Sequence, residues 1–594
     1  MVQRITNPDN NIEEQDDATR RRNGDCITRP LSPTSIIRDY RPQSQRAPQN
    51  DFISIQPSLN NPSWTLIEYY FKEVAALFSS YDSPMNPFRS TISRLWGSSL
   101  AICRTMQSMA AATLVHDFPQ FGPVGVKMRS EALEIITHEA VMDDKALLAL
   151  LMLGQTASWH NPHDLGVSFF NLLRERLSNA ITSSSSSSSS SNDFPTGNTL
   201  GRSNNFRFFE EALIYWEMLL SFVVDDSEGA RGKQGTHLAT TTTTTSEAGE
   251  SAILQKVPHP WTGIARDTQS MVQEVGRLVR RERKRMRRRT FTSHADIVRA
   301  QKAISEAQSL EERLLDIAHP SEAEIVSPGD DETPVWHLLT IAEVYRCTGL
   351  LQLYRTFPDL FHRRYPLHPN KNKNKTNKKR KRNDNEGTII GKNHTSNRSQ
   401  LDDPYSFPFL NMSMDNDATQ EELDILDLVE NNNNNNNNQR FSEQQEDYDN
   451  DNDKNNEDEE EEEDDDDDNS TIKNTRFHTS LTKFTLKTLY QLKTISFESR
   501  TRAVQPFLLT SLSSDLRLPF HHNQQIPDAG AVEVSRARKF LLGRLASLKY
   551  VLPPKPLDVC LKIVRGCWAR MDSGEESVYW VDVMMENGWE TTMG

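Results

Sequence analysis

The chain has 594 residues, 36% of them hydrophobic and 25% charged, with a formal net charge of −15. Its length allows several domains, but the polar excess sits in a few tracts, so about 400 residues are left to pack, roughly two to three domain lengths. Twelve consecutive acidic residues, Glu457 to Asp468, carry most of the net charge; the remainder is close to neutral, which excludes a uniformly acidic or basic protein.

Cys26, Cys103, Cys347, Cys560 and Cys567 are odd in number and far apart, which argues against a disulfide framework and fits a reducing compartment. No apolar run reaches the ~18 residues needed to span a bilayer, and the N-terminal stretch lacks the apolar core of a signal peptide. A soluble, intracellular protein without membrane contact is expected.

In chain order, residues 1–50 are rich in Arg, Asn, Gln, Asp and Pro, and are expected to be disordered because they have too little to bury. From Trp64 the pattern becomes helical: Trp64, Ile67, Phe71, Val74 and Phe78 step by three and four along one stripe, with Ser63 after Pro62 as the cap. A second helix is expected from Asn86-Pro87, carrying Phe88, Ile92, Leu95, Ile102, Met106 and Met109, with Ser99 and Thr113 merely diluting the stripe. Asp143 caps a third, Ala146 to Leu153, apolar on every side and therefore central. A helix ending in Phe169 to Leu173 follows, then a nine-serine run, Ser183 to Ser191. Phe206, Phe209, Leu213, Trp216, Leu220 and Val223 form the next stripe, followed by six threonines, Thr240 to Thr245.

Helical spacing resumes at Val257. His294 to Ala318 reads as an amphipathic helix with Ile297, Ile304, Leu314 and Ile317 inward, stopped by Pro320. The next opens at Thr333-Pro334 and buries Trp336, Leu339, Val344, Cys347 and Leu351. Residues 368–475 are low in complexity, with Lys/Asn tracts, eight asparagines and the acidic dodecad. Phe477, Leu481, Phe484, Leu489, Leu492 and Ile495 then restore the helical period. It continues through Ala537 to Tyr550 and Leu557 to Met571, and the chain closes with Tyr579 to Met585. The expectation is an all-α fold: a helical regulatory core over 51–366, with insertions at 183–203 and 226–256, completed by 476–594. The N-terminal 1–50 and the insert 367–475 stand outside it as disordered segments.

Catalytic motifs are missing: there is no G-x-G-x-x-G, phosphate loop, nucleophile elbow or H-E-x-x-H. His160, His163 and Asp164 cluster around Pro162, and a polar loop with a capping aspartate explains them better than a metal site. No enzyme and no cofactor are expected.

Two basic runs stand out. Arg277, Arg280, Arg281, Arg283, Lys284, Arg285, Arg287, Arg288 and Arg289 fall within thirteen positions, as either a DNA-contacting face or a solvated one. A basic leucine zipper is disfavoured, because no heptads follow. Lys378, Lys379, Arg380, Lys381 and Arg382 suit a nuclear import receptor, or are only solvated charge. Leu423, Ile425, Leu426, Leu428 and Val429 alternate with acids over Glu421 to Glu430, the composition of activation segments, with a stray amphipathic turn as the alternative.

The segments WTLIEYYFKEVAALFSSYDSPMNPFRSTI, ALLALLMLGQTASWHN, FRFFEEALIYWEMLLSFVVDD, PHPWTG and YWVDVMMENGWETTMG together resemble the helical regulatory region of fungal-specific transcription factors. The resemblance covers about Ile53 to Gly594 without the inserts. It implies a nuclear regulator of RNA polymerase II transcription, with DNA, co-regulators or the transcription machinery as partners and self-association as a further expectation. It also implies an N-terminal zinc cluster of six cysteines, whereas residues 1–50 hold only Cys26. No zinc ligand is carried over: zinc enters only if a cysteine cluster lies upstream. The alternative is a family member that regulates without binding DNA itself.

Overall fold

The computed structural model describes residues 62–139, 143–186, 197–225, 256–364, 465–518 and 529–593. Among them the secondary structure is helical, with two isolated β-bridges. The chain opens with α1 (Pro62–Tyr69), a π-helical turn (Tyr70–Val74), α2 (Ala75–Leu77), α3 (Pro87–Ser90), α4 (Ile92–Leu95) and α5 (Leu100–Leu114). Next come α6 (Phe121–His138), α7 (Asp144–Gln155), α8 (Ala157–His160), α9 (Val167–Ser186) and α10 (Gly197–Val223). Beyond them lie α11 (Arg266–Arg288), α12 (His294–Asp316), α13 (Val335–Thr356) and α14 (Pro358–Arg364). The last group is α15 (Asp465–Thr494), α16 (Gln505–Leu512), α17 (Ala529–Leu548), α18 (Pro554–Asp572) and α19 (Trp580–Asn587).

The expected stripes lie inside. Val74, Phe78, Phe88, Ile92, Ile102, Met106 and Met109 are buried, as is every member of the Phe477 to Ile495 series. One continuous core runs from Leu66 to Met593 and joins the helices on both sides of 365–464. At its centre is α13, against which α11, α12, α15 and α16 pack.

Several local expectations are corrected. The helix predicted from Pro87 is three: Ser99 does not dilute a stripe but caps α5, accepting from the Ile102 amide at 3.3 Å. The chain breaks just before it, because a serine that competes for backbone hydrogen bonds prefers the cap to the interior. Ser63 is no cap either: α1 begins at Pro62, whose missing amide hydrogen suits a first turn. Phe169 to Leu173 open α9 instead of ending a helix, and α9 continues through Ser186. The backbone of 197–203 is likewise helical where the composition suggests an insertion, and α15 begins within the acidic tract at Asp465. Helix α6 was missed because Gly122, Pro123 and Gly125 lower its propensity. Gly125 lets α6 approach α5: a Cβ there would lie 2.9 Å from the Ala111 methyl and 2.9 Å from the His160 ring. Trp336 and Ile297, expected inward, are 36% and 46% exposed.

In α13 polar side chains occupy the positions expected to face water. Glu343 is buried with Arg346 at 2.6 Å and His319 at 3.2 Å. Burial alone would raise its pKa, but hydrogen bonds from these two bases hold the carboxyl at about 2. About two and a half turns further, Gln352 Oε1 accepts from the Tyr579 hydroxyl (2.6 Å) and the Trp580 indole (2.8 Å), tying α19 to the centre.

Asn86 shows how a loop is fixed. Its side chain caps α3 by accepting from the Phe88 amide and donates to the Ala75 carbonyl at 2.8 Å, all fully buried. Asn86→Ala removes a cap and leaves a buried carbonyl unpaired, so a loss of about 2–4 kcal/mol is expected. Urea unfolding at pH 7 checks this; a loss under about 0.5 kcal/mol would contradict it.

Candidate functional site

The predicted basic run is the C-terminal half of α11. The helix buries Val272, Val275, Leu278 and Val279 against α10 and α13. Cations then accumulate where the helix carbonyls end, which the helix dipole favours.

Most of these cations are engaged within the molecule. Arg280, 8% exposed, donates to the Phe222 carbonyl (3.1 Å) and contacts Asp225 (3.2 Å) and Glu590 (3.4 Å). Arg283 grips Asp582 of α19 with two nitrogens and lies over the Tyr579 ring at 5.3 Å. Arg285 bridges Glu282 and Asp296, joining α11 to the start of α12. Lys284 pairs with Asp225, Arg277 with Glu217, Arg281 with Glu306 at 2.8 Å and Arg287 with Glu586 at 3.4 Å. Arg289 reaches Asp296 only at 3.9 Å. Arg288 is exposed and has no ion-pair partner among the described residues.

Arg283 and Arg281 therefore separate by burial. Arg283→Ala strands Asp582, whose side chain is 9% exposed, and is expected to cost about 3 kcal/mol. Arg281→Ala removes an exposed pair and is expected to cost under about 1 kcal/mol. Equal shifts in urea midpoint for the two variants would refute this difference.

Alongside these cations runs an open groove of about 500 Å³ between the end of α11 and the start of α12. Eight basic residues line it, Arg299 of α12 among them, with Asp225 and Asp296. Phe291, which lines it, is 75% exposed. The sequence reading missed Arg299 and Phe291, since TFTS between the helices looks like a plain connector. It also missed the counter-ions, because Asp225, Asp582 and Glu590 are far away in the chain.

The other predicted residues separate. Lys378, Lys379, Arg380, Lys381 and Arg382, together with Leu423, Ile425, Leu426, Leu428 and Val429, lie outside the described residues. His160 hydrogen-bonds Ser108 through Nε2 at 2.9 Å, while Asp164 pairs with Arg129 at 3.0 Å and accepts from the Gly166 amide. Burial, Arg129 and Lys555 push the His160 pKa down to about 4. Among the described residues no group of three or more His, Cys, Asp or Glu is placed to hold a metal, and Cys347, Cys560 and Cys567 are buried singly. No described helix is long and apolar enough to cross a membrane.

The PHPWTG segment lies at the core of the N-terminal helices. The Trp261 indole donates to the Phe78 carbonyl (2.8 Å) and the Tyr81 hydroxyl to the Pro258 carbonyl (2.9 Å). His259 Nδ1 accepts from the Trp261 amide at 3.1 Å. The described residues form an all-helical domain with a cationic groove at its surface, built around this segment and the C-terminal Tyr579-Trp580 pair. A model of the fungal specific transcription factor domain matches residues 65–373 and 528–594. The chain belongs to this family, and its class of function is transcription regulation. No curated protein and no solved structure matched it.

Proposed function

We propose that the chain regulates RNA polymerase II genes in the nucleus through its helical regulatory domain, with sequence-specific DNA contact expected from a zinc cluster that these residues lack. The family match carries this reading. The residues in hand do not fit such a cluster: a two-zinc site takes six thiolates, and Cys26 stands by itself in the first fifty positions. A second reading, a co-regulator that reaches DNA only through a partner, is favoured by the ion pairing of α11. Cations held by Asp225, Asp582 and Asp296 have already given up the charge that phosphates would neutralise.

Fused to a foreign DNA-binding domain, the full chain is expected to change transcription of a reporter carrying the matching sites; an unchanged reporter would refute both readings. The purified chain is expected to bind duplexes without sequence preference, with dissociation constants of about 10⁻⁴–10⁻⁶ M at physiological salt, and to ignore a chelator. Nanomolar preference for one duplex over a scrambled one would overturn the assignment of specificity to a zinc cluster or a partner. For nuclear entry, alanine at all of Lys378 to Arg382 is expected to leave a fluorescent fusion in the cytoplasm. Unchanged nuclear accumulation would remove the import receptor from that site.

A further inference from the structure

We propose that Thr290, in the linker between α11 and α12, is a phosphorylation site for an arginine-directed protein kinase, and that its phosphate seats in the cationic groove beside it. The linker Arg289 to Thr292 is exposed and lies outside both helices. It and the first residue after it offer three hydroxyls. Thr290 and Ser293 line the groove, whereas Thr292 does not. Ser293 Oγ is committed to capping α12, accepting from the Asp296 amide at 3.2 Å. Thr290 is therefore the hydroxyl that is both accessible and next to the cations.

Two independent features meet there. The first is what precedes the hydroxyl: Arg287, Arg288 and Arg289 occupy the three positions before it, all exposed at the end of α11. A kinase that selects basic substrates grips an extended segment with carboxylates of its own cleft, and arginines just before the acceptor are what such carboxylates hold. Presenting them requires only the last turn of α11 to open, which breaks the part-exposed pair of Arg287 with Glu586 at 3.4 Å.

The second feature is what faces the hydroxyl. Arg288, Arg289 and Arg299 line the groove together with Thr290. Arg288 and Arg299 have no ion-pair partner among the described residues, and Arg289 reaches Asp296 only at 3.9 Å. Cations so placed repel one another, and a phosphate on Thr290 relieves that repulsion. The two carboxylates of the groove oppose it little, because Asp225 is held by Arg280 and Lys284, and Asp296 by Arg285. The positive end of α12 begins at Ser293 on the same wall. A phosphothreonine of charge about −1.5 to −2 beside such guanidinium groups forms charge-assisted hydrogen bonds that order a loop.

In the transfer, Thr290 Oγ1 attacks the γ-phosphorus of ATP. The new O–P bond forms as the bond from that phosphorus to the bridging oxygen breaks, ADP leaves, and the hydroxyl proton passes to a carboxylate of the kinase. Once seated, the phosphate ties the end of α11 to Arg299 in the second turn of α12, and it occupies the cations that a nucleic-acid backbone would otherwise contact. The modification does not depend on the transcriptional reading, so its test is separate from that one.

The full chain is incubated with Mg-ATP and the catalytic subunit of a cyclic-AMP-dependent protein kinase, and the phosphate is located by mass spectrometry. Thr290 is expected to be modified at least about tenfold faster than in a variant bearing Arg287→Gln and Arg288→Gln. Amide exchange over Arg289 to Arg299 is then expected to slow at least about tenfold on phosphorylation, a factor that corresponds to a contact worth about 1.4 kcal/mol. Arg299→Gln lies outside the stretch that the kinase grips, so it is expected to leave the rate of modification unchanged and to abolish the slowing. Arg299 is exposed, and an unchanged urea midpoint verifies the fold of that variant. A chain left unmodified at Thr290, or modified at Thr292 or Ser293 in its place, would overturn the assignment of the site. Exchange that is unchanged or faster after phosphorylation, or slowed equally in Arg299→Gln, would overturn the seating.

Discussion

Replacing Gly276 with valine is expected to remove the cooperative unfolding transition of the domain, or to shift it down by more than about 4 kcal/mol. Gly276 faces α10, where a Cβ would fall 2.1 Å from Ser221 Oγ and 2.7 Å from the Phe222 ring. Ser221 Oγ is committed to the Met218 carbonyl at 2.6 Å. The Phe222 ring is fully buried between Phe507 at 5.1 Å and Trp580 at 5.6 Å, so it has no space to retreat into. Insertion into a close-packed contact between two long helices forces their axes apart, and its cost exceeds the usual range for overpacking because the displaced ring is itself central. Alanine at the same position is expected to cost about 2–3 kcal/mol. The measurement is urea unfolding followed by far-UV circular dichroism; a valine variant within 1 kcal/mol of the parent would show that α10 and α11 are not in this contact.

Much of this architecture was legible in advance, for a definite reason. A long helix that buries one stripe repeats its apolar residues every three or four positions, and the stripes of α1, α10 and α15 were read directly from that period. The period fails where a helix is buried on every side by polar as well as apolar groups. In α13, Glu343, Arg346 and Gln352 are inside only because His319, Tyr579 and Trp580 arrive from distant segments to meet them. Nothing local announces those partners. The basic run illustrates the same limit. Nine cations in thirteen positions read equally as a DNA face or a solvated face, and the structure gives a third use, ion pairs that bind α11 to α10, α12 and the C-terminal helix. Its family segments were legible for a complementary reason: PHPWTG and YWVDVMMENGW carry the tryptophans and tyrosines whose hydrogen bonds join separate parts of the core.

Acidification to pH 5 is expected to weaken the fold by several kcal/mol, through three histidines that are held neutral inside it. Burial pushes the His259 pKa down to about 3, His160 to about 4 under the added influence of Arg129 and Lys555, and His478 to about 4 beside Arg355 and Arg517. Two of them have a geometric reason to refuse a proton. His259 Nδ1 already accepts the Trp261 amide, and His478 Nδ1 faces the Arg355 guanidinium at 3.1 Å. In the unfolded chain all three titrate near 6.5. Between about pH 6.5 and 4 the unfolded state therefore binds more protons, and stability falls as pH falls, by about 2 kcal/mol per histidine at pH 5. Glu343 acts in a lower window: its pKa of about 2 lies below the unfolded value, so its contribution is intact at pH 5 and is lost only on further acidification. Asp515 and Glu139, whose carboxyls are raised by burial, act in the opposite direction, because protonation relieves a buried charge. The three histidines are joined by His337, whose pKa burial also lowers, so the histidines set the net sign. The urea midpoint measured at pH 7 and pH 5 decides the matter, with proton uptake on unfolding as an independent readout. A midpoint that stays level, with no uptake near pH 5, would mean that these rings are hydrated and titrate normally in the folded protein.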